Sequence, residues 1–460
     1  MKSASSARAI RSAAAASSLE SHHKIVRHIR SFVKPRGAKA YIVGGFLRDL
    51  LLGRVSQDLD IVVDGIAPEI VAHRLHRDLG FSRPVVFKRF GTALTVGRGI
   101  EIEFCRLEGD LGTDADRRDF TVNCMYADIS RRAVFTPSAI VDPTSRGRRD
   151  LKAGILRAPS DPCLMLWLDP LRILRAIRFY AVLGFSIDRQ LLKAMPRMVY
   201  LLGRVSPERI RTELETILLS GRLRSALSLM QRIGTGDLIY PELSRTYGFS
   251  QDTPHHAYDL FTHAARTAAN TPRDLTLRLA GLLHDIGKYD TRTYRRGRAV
   301  YYGHEAVSAE TAGTVLRRLR FPNRLTDDVV FLIRNHMINY SSDWTDKAVR
   351  RFVRRTGPRL EQVLALAEAD CKAQRAEPGM TVGIKDLRRR IRALGQDDLI
   401  HLDLPVNGRD IMEILGVKEG PAVGRAKDFL LDAAAGRARP MTRQDCVRLL
   451  KAWMADSDLA

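Results

Sequence analysis

The feature that most constrains the fold is a change of hydrophobic periodicity near residue 160. Before it, short apolar runs of strand length alternate with glycine turns and helical segments. These runs are Tyr41–Val43, Leu59–Val63, Ala93–Val96 and Ile100–Phe104. After it, apolar residues recur at helical spacing, as in Leu171–Phe179, with few strand signals. The sequence therefore predicts an α+β protein in which a mixed α/β head is followed by an all-α part.

Composition narrows the class of protein and its partners. With 460 residues, 45% of them hydrophobic, the chain is long enough for about three domains with ordinary cores. Lys and Arg number 75 against 52 Asp and Glu, and a net charge of +23 predicts a polyanionic partner, nucleic acid before a membrane surface. Five widely spaced cysteines without a CxxC pair argue against a disulfide scaffold and fit a reducing cytoplasm. The sequence has no uncharged apolar run long enough to span a bilayer.

The amino-terminal segment is basic and rich in serine and alanine. Its first nineteen residues contain Lys2, Arg8 and Arg11 and no acidic residue. We interpret residues 1–22 as a disordered leader of a cytoplasmic protein. The alternative is an organellar transit peptide, which has the same composition.

Two carboxylates follow a glycine turn in the predicted head. Asp58 and Asp60 are two residues apart in a strand-like run, so both side chains lie on one face. Such a pair suits Mg²⁺, which takes oxygen ligands and shares substrate phosphates in phosphoryl or nucleotidyl transfer. Upstream, Gly44 and Gly45 open a predicted helix whose backbone N–H groups suit a triphosphate, and Arg48 adds a cationic donor. The pattern predicts a metal and nucleotide site, whereas a lone DxD is often a solvated turn.

The segment GGFLRDLLLGRVSQDLDIVV at 44–63 resembles the first motif of a branch of the nucleotidyltransferase superfamily. That branch contains the CCA-adding tRNA nucleotidyltransferases and the bacterial poly(A) polymerases. The resemblance implies a polymerase-beta-like head in which Asp58 and Asp60 bind the catalytic metals. It also implies that three residues handle the triphosphate: Gly44, Gly45 and Arg48.

Two later segments extend this predicted site. Glu101 and Glu103 alternate onto one face of a strand, so either is a candidate third carboxylate, and Glu101 joins the catalytic set as our choice. The segment 117–123 resembles the second motif of the family. The resemblance implies that Arg118, Asp119 and Asn123 contact the ribose and phosphates.

An acid and three arginines recur every three residues in the next segment: Asp169, Arg172, Arg175 and Arg178. We expect them on one helix, with Pro170 in its first turn. Cytosine and adenine each present an exocyclic amine beside a ring-nitrogen acceptor, whereas guanine and uracil present a carbonyl beside an N–H. A carboxylate beside a guanidinium therefore complements C and A. The alternative is a salt bridge on a solvated helix.

This segment resembles the nucleotide-selecting motif of the family, usually Glu-Asp-x-x-Arg. The resemblance implies that Asp169 accepts from the exocyclic amine, that Arg172 donates to the ring nitrogen, and that Arg175 and Arg178 belong to the same nucleotide-binding set. Leu168 stands where the family often has Glu.

The helical part contains a second group of chemically active residues. Imidazoles and carboxylates together bind divalent metals. An adjacent His-Asp pair can bind one ion, and residues of neighbouring helices can complete its coordination. The pattern resembles the H…HD…D signature of HD-domain phosphohydrolases, which implies a second divalent metal bound by His263, His284, Asp285 and Asp370. His304 and His336 are further candidates. The resemblance leaves open whether this domain hydrolyses phosphates or only grips tRNA.

The carboxy-terminal segment from Leu404 through Gly424 resembles that of CCA-adding enzymes, and arginine runs at 316–320, 350–355 and 387–392 suit an RNA backbone. The predicted domains are a leader (1–22), a nucleotidyltransferase head (23–150), a neck that binds nucleotide and RNA (151–240), an HD domain (241–380) and a tRNA-binding tail (381–460).

We therefore expect a template-independent enzyme that adds CCA to tRNA 3′ ends from CTP and ATP with Mg²⁺. The alternatives are a poly(A) polymerase, a partial enzyme adding only CC or only A, an HD-domain metal phosphohydrolase acting on RNA or nucleotide phosphates, and an RNA-binding protein with an inactive head. The oligomeric state is not predicted.

Overall fold

The computed structural model describes residues 19–88, 91–252, 258–374, 378–395, 404–434 and 441–456. The chain forms two compact units. The first runs to Ile217 and includes Ser228–Leu238, and the second contains Leu218–Leu227 and the chain from Ile239 onward. The five predicted domains stay a prediction at this finer level.

The last four residues of the predicted leader belong to a helix. Residues 1–18 lie outside the described residues, but 19–22 form the first turn of a helix, α1 (19–33), in which His22 is buried. Ile25, Val26 and Ile29 bury one face of this helix. Helical periodicity thus begins within the segment that we had assigned to the leader because of its composition.

A seven-stranded sheet forms the core of the head, in the order β3-β4-β5-β2-β1-β6-β7. Among the described strands of this sheet, only β2 and β5 pair in parallel. The strands are β1 (Lys39–Val43), β2 (Asp58–Asp64), β3 (Val85–Phe87), β4 (Thr92–Gly97), β5 (Ile100–Arg106), β6 (Tyr126–Asp128) and β7 (Ile140–Val141). The four strand-like runs are thereby confirmed as β1, β2, β4 and β5.

Helices surround the sheet and continue beyond it in the first unit, together with a short parallel pair, β8 (Ile155–Leu156) and β9 (Ser186–Ile187). The helices are α2 (Gly45–Leu51), α3 (Pro68–Leu79), α4 (Leu111–Asp116), α5 (Gly147–Ala153), α6 (Pro162–Leu168), α7 (Arg172–Leu183), α8 (Arg189–Met198), α9 (Pro207–Leu218), α10 (Leu223–Ile233) and α11 (Thr235–Ile239). Helix α10 belongs to the second unit as far as Leu227 and to the first unit from Ser228. The helix expected over Asp169–Phe179 begins only at Arg172, because Asp169 has extended backbone angles (φ −144°, ψ 98°) and ends α6.

The described residues of the second unit are helical apart from one hairpin, β10 (Thr293–Arg295) and β11 (Arg298–Val300). Its helices are α12 (Pro241–Ser244), α13 (Leu260–Asn270), α14 (Leu275–Leu283), α15 (Lys288–Thr291), α16 (His304–Arg318), α17 (Asn323–Arg334), α18 (Asp346–Thr356), α19 (Leu360–Ala373) and α20 (Pro378–Ala393). In the described residues from 404 onward, the helices are α21 (Gly408–Leu415), α22 (Pro421–Ala434) and α23 (Arg443–Asp456).

Apolar faces hold these helices together. Helix α13 packs against α14 and α19, and the last three helices share a core that includes Ile411, Leu430 and Leu450. A capping box at Asn407 and Asp410 fixes the start of α21. The α+β class, with a mixed head and an all-α remainder, is confirmed. In the described ranges, every helix is too short or too polar to cross a bilayer.

Candidate active site

Four carboxylates lie on one face of two neighbouring strands. In the parallel pairing of β2 and β5, Asp58 is opposite Glu101 and Asp60 is opposite Glu103. Burial and the charge of Glu103 raise the pKa of Asp60 to about 6, although nearby arginines act against the shift. Burial and the charge of Glu101 likewise raise the pKa of Glu103. Neighbouring carboxylates raise one another's pKa when no cation lies between them, so this face suits hard divalent cations.

The register bears on the choice of the third carboxylate. Glu103 faces Asp60 across the strands, whereas Glu101 faces Asp58 at the exposed start of the pair. Our sequence-based choice of Glu101 stays a prediction, but the register with Asp60 and the effect of the Glu103 charge on the pKa of Asp60 favour Glu103. Alternation along one strand puts both glutamates on the same face, and only the register separates them.

The glycine turn lies directly against this face. Gly44 has a positive φ of 73° and precedes α2, and Val43 pairs with Asp60 across β1 and β2. A Cβ atom at Gly44 would lie 2.6 Å from Oδ2 of Asp60. Glycine is therefore required here both for the backbone angle and for the close approach of the carboxylate.

A pocket of about 240 Å³ contains most of the predicted nucleotide-binding residues. Its walls come from the glycine turn, β2, the segment 117–123 and the start of α7. The lining residues are Gly44, Gly45, Asp60, Arg117, Arg118, Asp119, Asn123, Asp169, Arg172 and Arg175. The pocket thus joins a carboxylate of the predicted metal site to the predicted phosphate, ribose and base contacts.

A chain of buried hydrogen bonds supports the pocket. Arg175 donates to Oδ2 of Asp119, with Nε at 3.0 Å, and Nδ2 of Asn123 donates to Oδ1 of Asp119 at 2.9 Å. Oδ1 of Asn123 accepts from Nη1 of Arg48 at 2.9 Å. Burial alone would raise the pKa of Asp119, but Arg175 and Asn123 outweigh burial and lower this pKa to about 2. Asp119 is therefore a fixed anion that orients two pocket residues.

Two predicted nucleotide-binding residues lie behind the pocket wall rather than in it. Arg48 is buried, pairs with Asp49 (Nη2 to Oδ2, 2.8 Å), bonds to Asn123 and packs over the ring of Phe179. Arg178 forms an ion pair with Glu213 at 3.1 Å. Direct contact of either guanidinium with a nucleotide is therefore not favoured, and both support residues that line the pocket.

The predicted base-reading pair lies at the pocket edge. Oδ2 of Asp169 accepts from Nη2 of Arg209 at 3.0 Å. Arg172 donates through Nη1 to the carbonyl of Met165 at 3.0 Å and through Nη2 to the carbonyl of Arg117. Sequence reasoning assigned no role to Arg117 or Arg209. Arg117 is the first residue of the segment that resembles the second motif, whereas the contact of Arg209 with Asp169 spans 40 residues and has no local signal.

The predicted metal ligands of the HD domain also come together. Nε2 of His263 lies 2.9 Å from Oδ1 of Asp370 and 3.4 Å from Oδ2 of Asp285. Nε2 of His284 lies 3.2 Å from the same Oδ2 and 3.4 Å from Oδ1 of Asp370. These separations match the distances between ligands of one metal ion, about 3.0–3.4 Å when each bond is about 2.1 Å long.

The orientation of His284 supports a cation at this place. Its Nδ1 is 3.0 Å from the carbonyl of Gly281, which fixes the proton on Nδ1 when the ring is neutral and leaves the lone pair on Nε2. Burial lowers the pKa of His284, but Asp285 and Asp370 outweigh burial and raise it to about 10. The two carboxylates thus require positive charge between the rings, from a bound metal or from imidazolium.

Family models match three consecutive parts of the chain. "Poly A polymerase head domain" matches residues 40–157, "Probable RNA and SrmB- binding site of polymerase A" matches 184–246, and "HD domain" matches 255–373. A CC-adding tRNA nucleotidyltransferase of Thermus thermophilus is 34% identical over 90% of this chain and 93% of its own length. The chain belongs to the tRNA nucleotidyltransferase family.

Other members of the family differ in what their names say they add. An A-adding tRNA nucleotidyltransferase of Deinococcus radiodurans is 33% identical over 86% of this chain and 91% of its own length. A multifunctional CCA protein of Cupriavidus necator is 31% identical over 73% of this chain and 86% of its own length. The chain is accordingly a nucleotidyltransferase, of a family that uses divalent metal ions, and the resemblance seen in its motifs is confirmed.

Solved structures share the fold of this nucleotidyltransferase. The CCA-adding enzyme of Bacillus stearothermophilus in complex with CTP has a TM-score of 0.64 and 23% identity, and the match covers 95% of this chain and 98% of that one. The Thermotoga maritima CCA-adding enzyme complexed with tRNA has a TM-score of 0.60 and 21% identity over 94% and 95% of the two chains. At these identities the matches establish the fold alone.

Proposed function

We propose that this nucleotidyltransferase adds CCA to tRNA 3′ ends from CTP and ATP, without a nucleic-acid template and with Mg²⁺. The observation that carries the proposal is a single pocket in which Asp60 and the glycine turn meet Asp169 and Arg172. Such a pocket joins phosphate chemistry to selection of a base that presents an amine beside a ring-nitrogen acceptor. Cytosine and adenine are the two bases of that kind.

Different residues of the pocket have different roles, in metal binding and in recognition of the base. Asp58 and Asp60 would hold the divalent metal, which activates the tRNA 3′-hydroxyl and neutralises charge on the leaving pyrophosphate when bound. The 3′-oxygen forms a bond to the α-phosphorus, and the bond between that phosphorus and the β-phosphate oxygen breaks. Asp169 accepts from the exocyclic amine of the base, while Arg172, fixed by two carbonyl groups, donates to the ring nitrogen.

Partial addition is the main alternative within the same chemistry. The relatives from Thermus and Deinococcus are named for adding CC and A respectively, whereas the Cupriavidus protein is named a multifunctional CCA protein. To decide, purified protein is incubated with Mg²⁺, CTP, ATP and transcripts ending before CCA or after CC, and the product 3′ ends are sequenced. Complete CCA ends are expected. Addition of CC alone would indicate a CC-adding enzyme, and addition of A only to the CC-ended transcript would indicate an A-adding enzyme. Long A tracts would indicate a poly(A) polymerase.

Basic surfaces of the second unit support tRNA as the partner. In the tail, Arg443, Arg448 and Lys451 line one face of α23. Lys and Arg on such a face suit the phosphate backbone, with affinity that falls as salt rises. A shift from 50 to 200 mM salt is therefore expected to weaken tRNA binding by about 10³-fold or more if six phosphates are neutralised. Location in the cytoplasm stays a prediction.

Hydrolysis of phosphate esters at the HD domain is the second candidate function. The observation that favours it is the buried set of His263, His284, Asp285 and Asp370, which suits a transition metal. Hydrolysis of bis(p-nitrophenyl) phosphate with Mn²⁺ or Ni²⁺ is expected to disappear in Asp285→Ala and to persist in Asp60→Asn. Hydrolysis that is unaffected by Asp285→Ala would refute this candidate function. If the protein shows neither nucleotide addition nor hydrolysis, RNA binding is the remaining function.

A further inference from the structure

Helix α6 has an exposed apolar face. Leu164, Trp167 and Leu168 are spaced i, i+3 and i+4, so they lie on one side of the helix. Their exposed fractions are 51%, 56% and 49%, whereas Met165 and Leu166 are buried. Single exposed apolar residues are ordinary, but neighbouring ones that form a patch indicate a surface that binds something.

We propose that this face binds the single-stranded 3′ end of the tRNA, with the indole of Trp167 stacked on an unpaired base. The inference rests on the proposed function, since it concerns the acceptor of the same reaction. It goes beyond the family motifs, because Leu168 stands where the family often has Glu and sequence reasoning assigned no role to Trp167.

The last turn of α6, which carries Trp167, adjoins the nucleotide pocket. Asp169 ends α6, lines the pocket and is two residues from Trp167, so the two Cα atoms are at most about 7 Å apart. Arg172, another lining residue, donates to the carbonyl of Met165 in the same turn at 3.0 Å. This turn of helix therefore belongs to the rim of the pocket.

The size of the pocket places the acceptor outside it. At about 240 Å³ the pocket is smaller than the about 300–1,000 Å³ of typical ligand sites, so the incoming nucleotide fills it. The unpaired nucleotides of the acceptor must then lie over the rim. Because the proposed function has the incoming base read at Asp169, an acceptor base that stacks beside that base lies at the same end of the pocket as Trp167.

The charges around Trp167 favour RNA as the occupant. Exposed Arg117 and Arg209 lie at this edge of the pocket, since Arg117 lines it and Arg209 donates to Asp169. Arg117 also pairs with Glu108, but a guanidinium has five N–H donors, so both arginines can still bind phosphates. Aromatic rings that stack bases beside cations that follow the phosphates are the general means of binding single strands. An apolar protein partner would gain nothing from these cations.

Fluorescence of Trp167 tests the contact without turnover. The chain has three tryptophans, so Trp344→Phe with Trp453→Phe leaves Trp167 as the only indole. Without NTP, a tRNA transcript that ends after CC is expected to quench this fluorescence through stacking of a base on the indole. A transcript without unpaired 3′ nucleotides is expected to bind through its body and to quench little. Equal quenching by both transcripts, or quenching by CTP alone, would overturn the assignment to the single-stranded end.

Kinetics test the consequence for the reaction. Loss of one base–aromatic contact corresponds to a decrease of about 5- to 150-fold, so we expect Trp167→Ala to lower kcat/KM for the tRNA acceptor by this factor. The KM for the nucleotide at saturating tRNA is expected to stay the same. Trp167→Phe keeps an aromatic ring and should recover most of the loss. Tyr200→Ala, which removes an aromatic side chain that is likewise exposed in the first unit, should cause none.

Three results would count against parts of this scheme. Unchanged kcat/KM in Trp167→Ala, together with no quenching by bound CC-ended tRNA, would overturn the proposal. A dimer in sedimentation that becomes a monomer in Trp167→Ala would assign the face to a second copy of the chain and would also overturn it. If the unmodified protein extends no acceptor, the proposed function fails, and quenching by CC-ended tRNA then decides the binding role of Trp167 by itself.

Discussion

Arg48 is the residue whose structural placement changes its expected role most, and its replacement tests that role directly. The guanidinium is buried behind the pocket and donates to Oδ1 of Asn123 at 2.9 Å. If Arg48 acts by holding Asn123, Arg48→Gln removes one charge-assisted hydrogen bond, which contributes about 1.5–3 kcal/mol. A change of about 1.36 kcal/mol in activation free energy corresponds to a tenfold change in rate. We therefore expect kcat/KM for CTP to fall about 10- to 100-fold.

A double-mutant cycle separates this positioning role from direct phosphate binding. Asn123→Ala alone and Arg48→Gln alone are each compared with the double variant in single-nucleotide incorporation assays. Because both single changes break the same contact, the double variant is expected to lose little more than the worse single variant. If the fold decreases in kcat/KM of the two single variants multiply in the double variant, the positioning role is refuted. The direct triphosphate contact that the motif implies would then be the better explanation.

Stability must be measured beside activity, because Arg48 also pairs with Asp49 and packs over Phe179. Arg48→Lys keeps the positive charge but cannot pair with Asp49 through two nitrogen atoms while also donating to Asn123. We expect it to behave like Arg48→Gln in kcat/KM while its melting temperature falls less. Full activity of Arg48→Lys would mean that charge alone is needed at this position.

Three further outcomes are expected. Gly44→Ala should lose activity in incorporation assays, because the added Cβ atom would lie 2.6 Å from Oδ2 of Asp60 and the backbone angles of Gly44 (φ 73°, ψ −141°) suit only glycine. Gly53→Ala, whose added Cβ atom would meet no atom within 4 Å, should keep near-normal activity in the same assay. Without divalent metal, the raised pKa of Asp60 means that the folded state binds more protons than the unfolded state between pH 4 and 6, so stability falls as pH rises through this range. Asp60→Asn should therefore raise the melting temperature at pH 7.5 but not at pH 3.5, and should abolish incorporation while tRNA binding persists in a filter assay. Asp169→Ala should blur discrimination of CTP and ATP from GTP and UTP in competition assays, and unchanged discrimination would remove the base-reading role.

The parts of the fold that sequence predicted are those set by local patterns. Alternation of apolar residues defines β2, β4 and β5, and Gly44 marks the turn because only glycine takes its backbone angle there without strain. The pocket follows from the same motifs, because it forms where three short segments with local signatures meet. The helix start at Arg172 was placed three residues too early because the periodic stripe continues through Asp169, whereas the backbone does not.

Contacts between distant segments are the part that the sequence did not predict. Glu103 rather than Glu101 faces Asp60 because of the strand register, and Arg48 turns toward Asn123, 75 residues away, instead of toward the pocket. In both cases the residue type suits either role, so chemistry alone cannot choose between them. The three-dimensional neighbours decide: the register of β2 and β5 places Glu103 beside Asp60, and buried Arg48 uses its donors on Asp49 and Asn123, since a buried guanidinium needs a counter-charge and acceptors.

The same reasoning applies to the histidines of the HD domain. The spacing of imidazoles and carboxylates along the chain predicts that they share one ion. A sequence signature shows which residues are present, but it does not show which carboxylate oxygen each imidazole faces. The fold supplies that information: His304 begins α16 and His336 follows α17, and both approach Oδ1 of Asp285. One buried carboxylate with imidazole pairs at both oxygens is costly without positive charge beside it, and this cost is the physical reason to expect a cation in the cluster.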